Sequence, residues 1–213
     1  MFNGAPYRII NNAIDAKCYS FCEERRDQMR EELGIGANMF VVGHVGRFNA
    51  VKNHTFLLDV FAAVHERKPD SLLLLVGDGN LRAEMERKAQ RLGLSNYVIF
   101  TGIRSDVPDV MQAMDCFVFP SLYEGLPLTL IEAQAAGLPC IVSDGVPGEC
   151  DKTGLVECIS LREDAMVWAD RILQYGIPTR PDTYGDLVRC GYDITANAQW
   201  LQNYYLDQWK KES

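Results

Sequence analysis

The fold class follows from residues 40–77, FVVGHVGRFNAVKNHTFLLDVFAAVHERKPDSLLLLVG. Two runs rich in Val, Leu and Phe, at 40–46 and 71–77, each end on glycine, as buried parallel strands often do. Between them, residues 53–66 repeat apolar side chains at helical spacing, which predicts a crossover helix. The stretch therefore predicts a strand–helix–strand unit of a parallel sheet.

The same alternation continues along the chain. Further strands are predicted at residues 97–101, 115–119, 139–143 and 155–160, and further helices at 80–92, 105–113, 127–136 and 163–174. We therefore expect an α/β fold, a Rossmann-like doubly wound parallel sheet of about six strands. Residues 21–33 predict a charged surface helix with a solvated face and no function. Residues 177–184 predict a loop, and 193–210 an aromatic-rich helix.

Composition excludes several function classes. The 213 residues carry 21 Lys and Arg against 29 Asp and Glu, a net charge of −8, which argues against a broad basic face for nucleic acid or anionic lipid. Apolar runs such as 72–76 are far shorter than the ~20 residues that cross a bilayer, and the first residues, MFNGAPYRIINN, lack a signal-peptide pattern. We expect a cytoplasmic protein with no membrane span, and peripheral attachment at the inner face of the membrane stays open for a full-length enzyme.

Seven cysteines without a C-x-x-C pattern predict free thiols and make a zinc site improbable.

The loops that follow the strands are the place to look for a ligand site, because open parallel sheets bind ligands beyond the carboxyl ends of their strands. Residues 40–58 contain no acidic residue but offer the possible donors His44, Arg47, Lys52 and His54. In a chain of net charge −8 this predicts a local anion site. A solvated Arg and Lys beside a helix start is an equally good interpretation of this loop alone.

The loop after the fourth predicted strand, residues 120–132 (PSLYEGLPLTLIE), is the most informative. Pro127 suits the first helical position, which leaves the amides of Leu128 and Thr129 free to bind an anion. Glu124 precedes this helix and Glu132 lies inside it, in an otherwise apolar run. Two carboxylates beside an anion cradle suit a nucleotide sugar, which carries hydroxyls on both sides of a diphosphate. Alternatively, Glu132 pairs with a neighbouring Arg.

These motifs, in order, resemble the donor-binding half of retaining GT-B glycosyltransferases of the family 4 type, which includes many bacterial polysaccharide and lipopolysaccharide transferases. The matching stretches are residues 10–15 (INNAID), Gly46-Arg47 with Lys52-Asn53, residues 76–79 (VGDG), residues 100–102 (FTG) and the E-x7-E pair Glu124 and Glu132. The resemblance begins at about Arg8, runs to Gln174 and extends to the end of the chain. Ala13 stands where the family usually has Gly.

The resemblance implies a role for each matched position. Arg47 and Lys52 would neutralise the donor diphosphate, with help from the amides of Leu128 and Thr129. Glu124 would bind hydroxyls of the transferred sugar, so that Arg47, Lys52 and Glu124 are the expected catalytic residues. Glu132 would bind the ribose, and the backbone at Ile103 and Arg104 would bracket the base. The other expected donor contacts are Gly46, Gly77, Gly79, Gly125, Leu126 and Pro127.

The resemblance also implies retention of anomeric configuration, no metal or other cofactor, and a nucleotide-sugar donor with UDP as the leading base. A glycan or lipid-linked acceptor would bind through a missing N-terminal domain. Residues 1–213 would then form the donor-binding domain, with 1–20 as the remnant of the interdomain linker and 193–213 as the crossing helix. On that helix Trp200, Tyr204 and Trp209 would be partly exposed, and the isolated domain would have little or no activity.

Other functions stay open at this point. One is a non-catalytic nucleotide-binding module of a two-chain transferase, and another is a GT-B sugar-nucleotide epimerase. An NAD-dependent dehydrogenase is disfavoured, because the first predicted strand carries Gly43-x-x-Gly46 and not G-x-G-x-x-G.

Overall fold

A computed structural model of the chain describes residues 9–177 and 179–212, with side chains up to residue 210. Arg8 and the residues before it, which include part of the predicted linker remnant, lie outside the described residues. So do Pro178, in the predicted loop, and Ser213, at the end of the predicted crossing helix.

Strands and helices alternate along the described chain as the sequence predicts. The strands are β1 (Phe40–Val45), β2 (Ser71–Val76), β3 (Val98–Gly102), β4 (Cys116–Phe119), β5 (Cys140–Ser143) and β6 (Val156–Ile159). The helices are α1 (Ala16–Tyr19), α2 (Glu23–Glu32), α3 (His54–Arg67), α4 (Arg82–Arg91), α5 (Val107–Gln112), α6 (Leu128–Ala135), α7 (Ala165–Gln174), α8 (Tyr184–Arg189) and α9 (Ile194–Glu212), and a 3-10 turn spans Gly148–Cys150. Every predicted strand and helix is confirmed, with ends within about two residues of the prediction.

The six strands form one parallel sheet in the order β3-β2-β1-β4-β5-β6. The chain moves outward from β1 through β2 to β3, and then returns to the other side of β1 to add β4, β5 and β6. The direction of winding therefore reverses between β1 and β4. In open parallel sheets the crevice at such a reversal is the usual ligand site.

Helices cover both faces of the sheet, which explains why its strands are apolar on both sides. On one face α3, α4 and α7 pack with Leu57, Phe61, Met85 and Trp168, all essentially buried. On the other face α2, α5 and α6 contribute Met29, Met111 and Leu130. The sheet is thus the middle layer of three, and its loops at the carboxyl ends are left to bind ligands.

Helix α2 differs from the prediction, because two of its arginines are not on a solvated face. Arg30 is 4% exposed, and Arg26 Nη2 lies 2.5 Å from Asp115 Oδ1. Arg30 also pairs with Asp115, the buried residue that precedes β4 and accepts a hydrogen bond from the Val41 amide. The prediction of a merely solvated helix was wrong here, because a carboxylate buried at the base of the sheet requires cations from α2.

The segment after α7 contains a helix that the sequence did not indicate. Residues 179–183 form part of the predicted loop, but α8 follows at once. Arg180 is 9% exposed and donates to backbone carbonyls of Met111, Gln112 and Ala136, so this segment is tied to the base of the sheet. Without the tertiary contacts of Arg180, the Pro- and Asp-rich stretch has only turn signals.

Helix α9 carries the exposed aromatic residues that the sequence predicted. Tyr204 is 46% and Trp209 67% exposed. Before α9, the Ile14 amide donates to Tyr192 O and the Ile194 amide to Ile14 O, so the segment before α1 lies against the start of α9.

Within the described residues no helix combines the length and the apolar character that crossing a membrane requires.

Candidate functional site

The loops after β1 and β4 meet at the point where the winding of the sheet reverses. The Leu122 amide donates to Val51 O at 2.8 Å, which ties the two loops together. The Lys52 amide donates to Asn49 Oδ1 at 3.1 Å, and the Glu124 amide donates to Gly145 O at 2.9 Å. These backbone contacts hold Lys52 and Glu124 at fixed positions beside each other, although 72 residues separate them in the sequence.

Lys52 and Glu124 form an ion pair with Nζ and Oε1 2.7 Å apart. Their side chains are 18% and 13% exposed, and the Lys52 ammonium lies 4.4 Å from the centre of the Phe119 ring. Two of the three predicted catalytic residues are therefore in direct contact. Sequence reasoning missed Phe119 as their neighbour, because Phe119 is typical of an apolar strand residue.

An open cleft of about 480 Å³ lies beside this pair of loops and is lined by Arg47, Gly77, Asp78, Gly79 and Ile103. Gly77 has a φ of +132°, and a Cβ there would lie 2.2 Å from Gly46 O. A Cβ on Gly79 would lie 2.4 Å from Phe48 O. Only glycine permits such close contact between the loops after β1 and β2. The predicted contact residues Arg47, Gly77, Gly79 and Ile103 are thus brought together.

Gly46 lies between the cleft and the ion pair. Its amide donates to Val76 O, and a Cβ on it would come within 3.4 Å of the Lys52 side chain. Arg104, by contrast, turns its side chain away to ion pairs with Glu32 and Asp106, and these hydrogen bonds raise its pKa. Only the backbone of Arg104 is left for the predicted contact with a base.

The start of α6 matches the prediction with a shift of one residue. Pro127 is the N-cap, and Leu128 is the first helical residue. The carbonyl of Pro127 accepts from the Leu130 amide at 3.0 Å, and no side chain caps the helix. The amides of Leu128 and Thr129 therefore lie in the uncapped first turn, where an anion is stabilised. Gly125 and Leu126 are exposed in the loop between Glu124 and this turn.

Glu132 is half-buried in the second turn of α6 and meets Tyr19 of α1. Burial raises the pKa of Glu132, and a hydrogen bond with Tyr19 opposes part of that shift. Among the side chains that the structure describes, no Lys or Arg forms an ion pair with Glu132. Sequence reasoning missed Tyr19, because the contact joins segments more than 100 residues apart.

The two histidines of the predicted anion site are buried beneath it. His44 is fully buried and donates from Nδ1 to Val118 O, while His54 is 2% exposed. Burial lowers the pKa of His44 to about 4 and that of His54 to about 2, so both are neutral near pH 7. Of the four possible donors, only Arg47 and Lys52 therefore supply positive charge.

Among the side chains described in residues 9–177 and 179–210, no group of three or more His, Cys, Asp or Glu is arranged to hold a metal ion.

Comparison with known proteins identifies the family of the chain. The family model described as glycosyl transferases group 1 matches residues 25–157, a span that includes Arg47, Lys52, Glu124 and Glu132. The chain belongs to the glycosyl transferases group 1 family. Its sheet and the helices on both faces are those of the GT-B fold, which solved glycosyltransferase structures share.

Three relatives illustrate the family. EpsF of Bacillus subtilis (strain 168), named as a glycosyltransferase, is 40% identical over 201 residues, which cover 92% of this chain and 52% of EpsF. The UDP-Gal:alpha-D-GlcNAc-diphosphoundecaprenol alpha-1,3-galactosyltransferase of Escherichia coli is 36% identical over 139 residues, 64% of this chain and 36% of that enzyme. Anabaena Alr3699/HepE, solved in complex with UDP-glucose, superposes with a TM-score of 0.74 at 25% identity, over 93% of this chain and 57% of that one. The match with this chain thus spans about half the length of EpsF and 36% of the length of the Escherichia coli galactosyltransferase.

Proposed function

We propose that residues 1–213 form the donor-binding, C-terminal domain of a retaining GT-B glycosyltransferase of the family 4 type. The enzyme transfers a sugar from a nucleotide sugar, with a UDP-sugar as the leading donor, to a glycan or lipid-linked acceptor. The observation that carries the proposal is the meeting of Lys52 and Glu124 ahead of the uncapped first turn of α6, at the reversal of the sheet. A cation, a carboxylate and two free amides there match a diphosphate joined to a sugar.

Different residues of the site bind different parts of the donor. Arg47 and Lys52 bind the diphosphate together with the amides of Leu128 and Thr129. Glu124 accepts hydrogen bonds from hydroxyls of the transferred sugar. Glu132 accepts hydrogen bonds from the ribose, and the cleft at Gly77, Gly79 and Ile103 receives the nucleoside.

The proposed reaction breaks the bond between the anomeric carbon of the sugar and the leaving phosphate oxygen. The acceptor oxygen attacks from the same face, and the leaving phosphate takes its proton, so the anomeric configuration is retained. Negative charge grows on the nucleoside diphosphate as this bond breaks, and Arg47, Lys52 and the start of α6 stabilise it. In this proposal these groups supply the stabilisation that a divalent metal supplies in other transferases, and the reaction needs no cofactor.

The relatives support the choice of a UDP-sugar and of the acceptor class. Anabaena Alr3699/HepE was solved with UDP-glucose, and the Escherichia coli galactosyltransferase is named for a UDP-Gal donor and a diphosphoundecaprenol-linked acceptor. We propose that the acceptor binds an N-terminal domain that residues 1–20 connect to this one, and that residues 193–213 cross back to that domain. The complete enzyme would be cytoplasmic, and peripheral attachment at the inner membrane face would bring it to lipid-linked acceptors.

Calorimetry with the 213-residue chain tests the donor site. We expect binding of UDP and at least one UDP-sugar, unchanged by EDTA, with GDP and GDP-mannose as controls for the base. Glu132→Ala should lower the affinity for UDP about 10- to 100-fold, because the substitution removes hydrogen bonds to a charged group. Absence of nucleotide binding at millimolar concentration would refute the site.

Product analysis on an enzyme that includes both domains separates transfer with retention from epimerisation.

A further inference from the structure

The ion pair between Lys52 and Glu124 joins two groups that the proposed function assigns to different parts of the donor. Lys52 would bind the diphosphate, and Glu124 the transferred sugar. The structure places Nζ of Lys52 2.7 Å from Oε1 of Glu124, a direct charge-assisted hydrogen bond. Any diphosphate that approaches Lys52 must therefore share its single positive charge with the Glu124 carboxylate.

The backbone offers little freedom to relieve this competition. The loop of Lys52 is held by the Asn49 side chain and by the hydrogen bond between Leu122 and Val51. The loop of Glu124 is held by the hydrogen bond of its amide to Gly145 O. A Cβ on Gly145 would lie only 2.3 Å from Leu122 O, which shows how closely these segments pack. A ligand can separate the two charges only by moving their side chains.

The surroundings of the pair make its separation costly. Both side chains are more than four-fifths buried, and the face of the Phe119 ring covers the ammonium group at 4.4 Å. Within the described side chains, Lys52 is the only cation that forms an ion pair with Glu124. When Lys52 turns to a diphosphate, the Glu124 carboxylate is left shielded from water, without a counter-charge and close to new negative charge.

Sugar hydroxyls can remove that cost, because they donate hydrogen bonds to the carboxylate that Lys52 has left. A nucleoside diphosphate without a sugar has no donor to offer at this position. We propose that the Lys52–Glu124 ion pair is a specificity determinant that weakens binding of the free nucleoside diphosphate relative to the nucleotide sugar. This inference rests on the proposed function. The same competition would favour release of the nucleoside diphosphate after the sugar has been transferred.

The test compares UDP and UDP-glucose by calorimetry on the wild-type chain and on Glu124→Gln. If Glu124 only binds sugar, its loss leaves the affinity for UDP unchanged. If it also competes for Lys52, Glu124→Gln should bind UDP about tenfold tighter, a gain of about 1.4 kcal/mol. The affinity for UDP-glucose should not rise, because the variant loses the anionic acceptor for the hydroxyls. The preference for the sugar nucleotide over UDP should then fall by about tenfold or more.

Two further variants complete the design. Glu124→Ala removes the pairing atoms altogether and should strengthen UDP binding as Glu124→Gln does. Glu149→Gln removes one negative charge from an exposed position in the neighbouring 3-10 turn and should change both affinities less than about twofold, because exposed charges are screened. Thermal unfolding of each variant confirms that it is folded.

The outcomes separate the two proposals. A wild-type chain that binds neither UDP nor UDP-glucose contradicts the proposed function itself. A wild-type chain that binds UDP, with UDP affinity unchanged or lowered in both Glu124 variants, overturns the role of the ion pair and leaves the donor site standing. A similar rise of UDP affinity in Glu149→Gln also overturns it, because the effect would then come from net charge.

Discussion

The burial and the neutral state of His54, which follows the loop after β1, can be tested by substitution. It is the first residue of α3, it is 2% exposed, and neither of its ring nitrogens has a hydrogen-bond partner. The ring lies flat on Phe48 at 4.1 Å and meets His44 edge-on at 4.7 Å. Leucine has a similar volume and no polar atoms. We predict that His54→Leu stabilises the protein, and that the gain grows as the pH falls.

The magnitude follows from the pKa of this histidine. Burial lowers it to about 2 in the folded protein, while the unfolded chain binds a proton as the pH falls through about 6.5. The unfolded state is therefore favoured increasingly below pH 6.5. The free energy of unfolding of the wild type falls as the pH drops from there towards the folded pKa. Between about pH 7.5 and pH 5, this one group costs the wild type about 2 kcal/mol. Removing an unpartnered buried ring should add about 1 kcal/mol at every pH.

Urea unfolding of both proteins at several pH values between about 5 and 7.5 measures the difference directly. The contribution of His44 is present in both proteins and cancels. Leu57→Met, at a buried position of the same helix, is the control: it carries no titratable group and should change the free energy of unfolding by the same amount at each pH. A difference between His54→Leu and wild type that stays constant over this range would refute the assignment of His54 as a buried neutral group.

Two further predictions concern the base of the sheet and the cleft. Asp115→Asn leaves the guanidinium groups of the buried Arg30 and the partly buried Arg26 without their counter-charge. The free energy of unfolding should therefore fall by about 3–5 kcal/mol in urea unfolding, and a loss below about 1 kcal/mol would contradict a buried charge cluster. Gly77→Ala places a Cβ 2.2 Å from Gly46 O at a positive φ, and should cost at least about 1–3 kcal/mol of stability and weaken UDP binding in calorimetry. The control Gly125→Ala meets no atom within 4 Å and should leave stability nearly unchanged; equal effects of the two substitutions would show that backbone contact at Gly77 is unimportant.

Sequence reasoning predicted the fold closely because the signals were local and repeated. Strands such as β2 are continuous apolar runs, and helices such as α3 show a regular apolar face, so their order specified a doubly wound sheet. It failed where long-range contacts override local composition. The short helix α8 has no strong local pattern, and α2 looks solvated until its arginines meet Asp115.

The site shows the same division. The sequence alone determined that Arg47, Lys52, Glu124 and Glu132 follow strands of one parallel sheet, because residue type and spacing are read along the chain. Which groups meet became known from the three-dimensional fold: Lys52 contacts Glu124, Glu132 contacts Tyr19, and the two histidines are buried. Charge pairing, burial and the resulting pKa shifts depend on distances across the fold, and segments far apart in sequence set those distances.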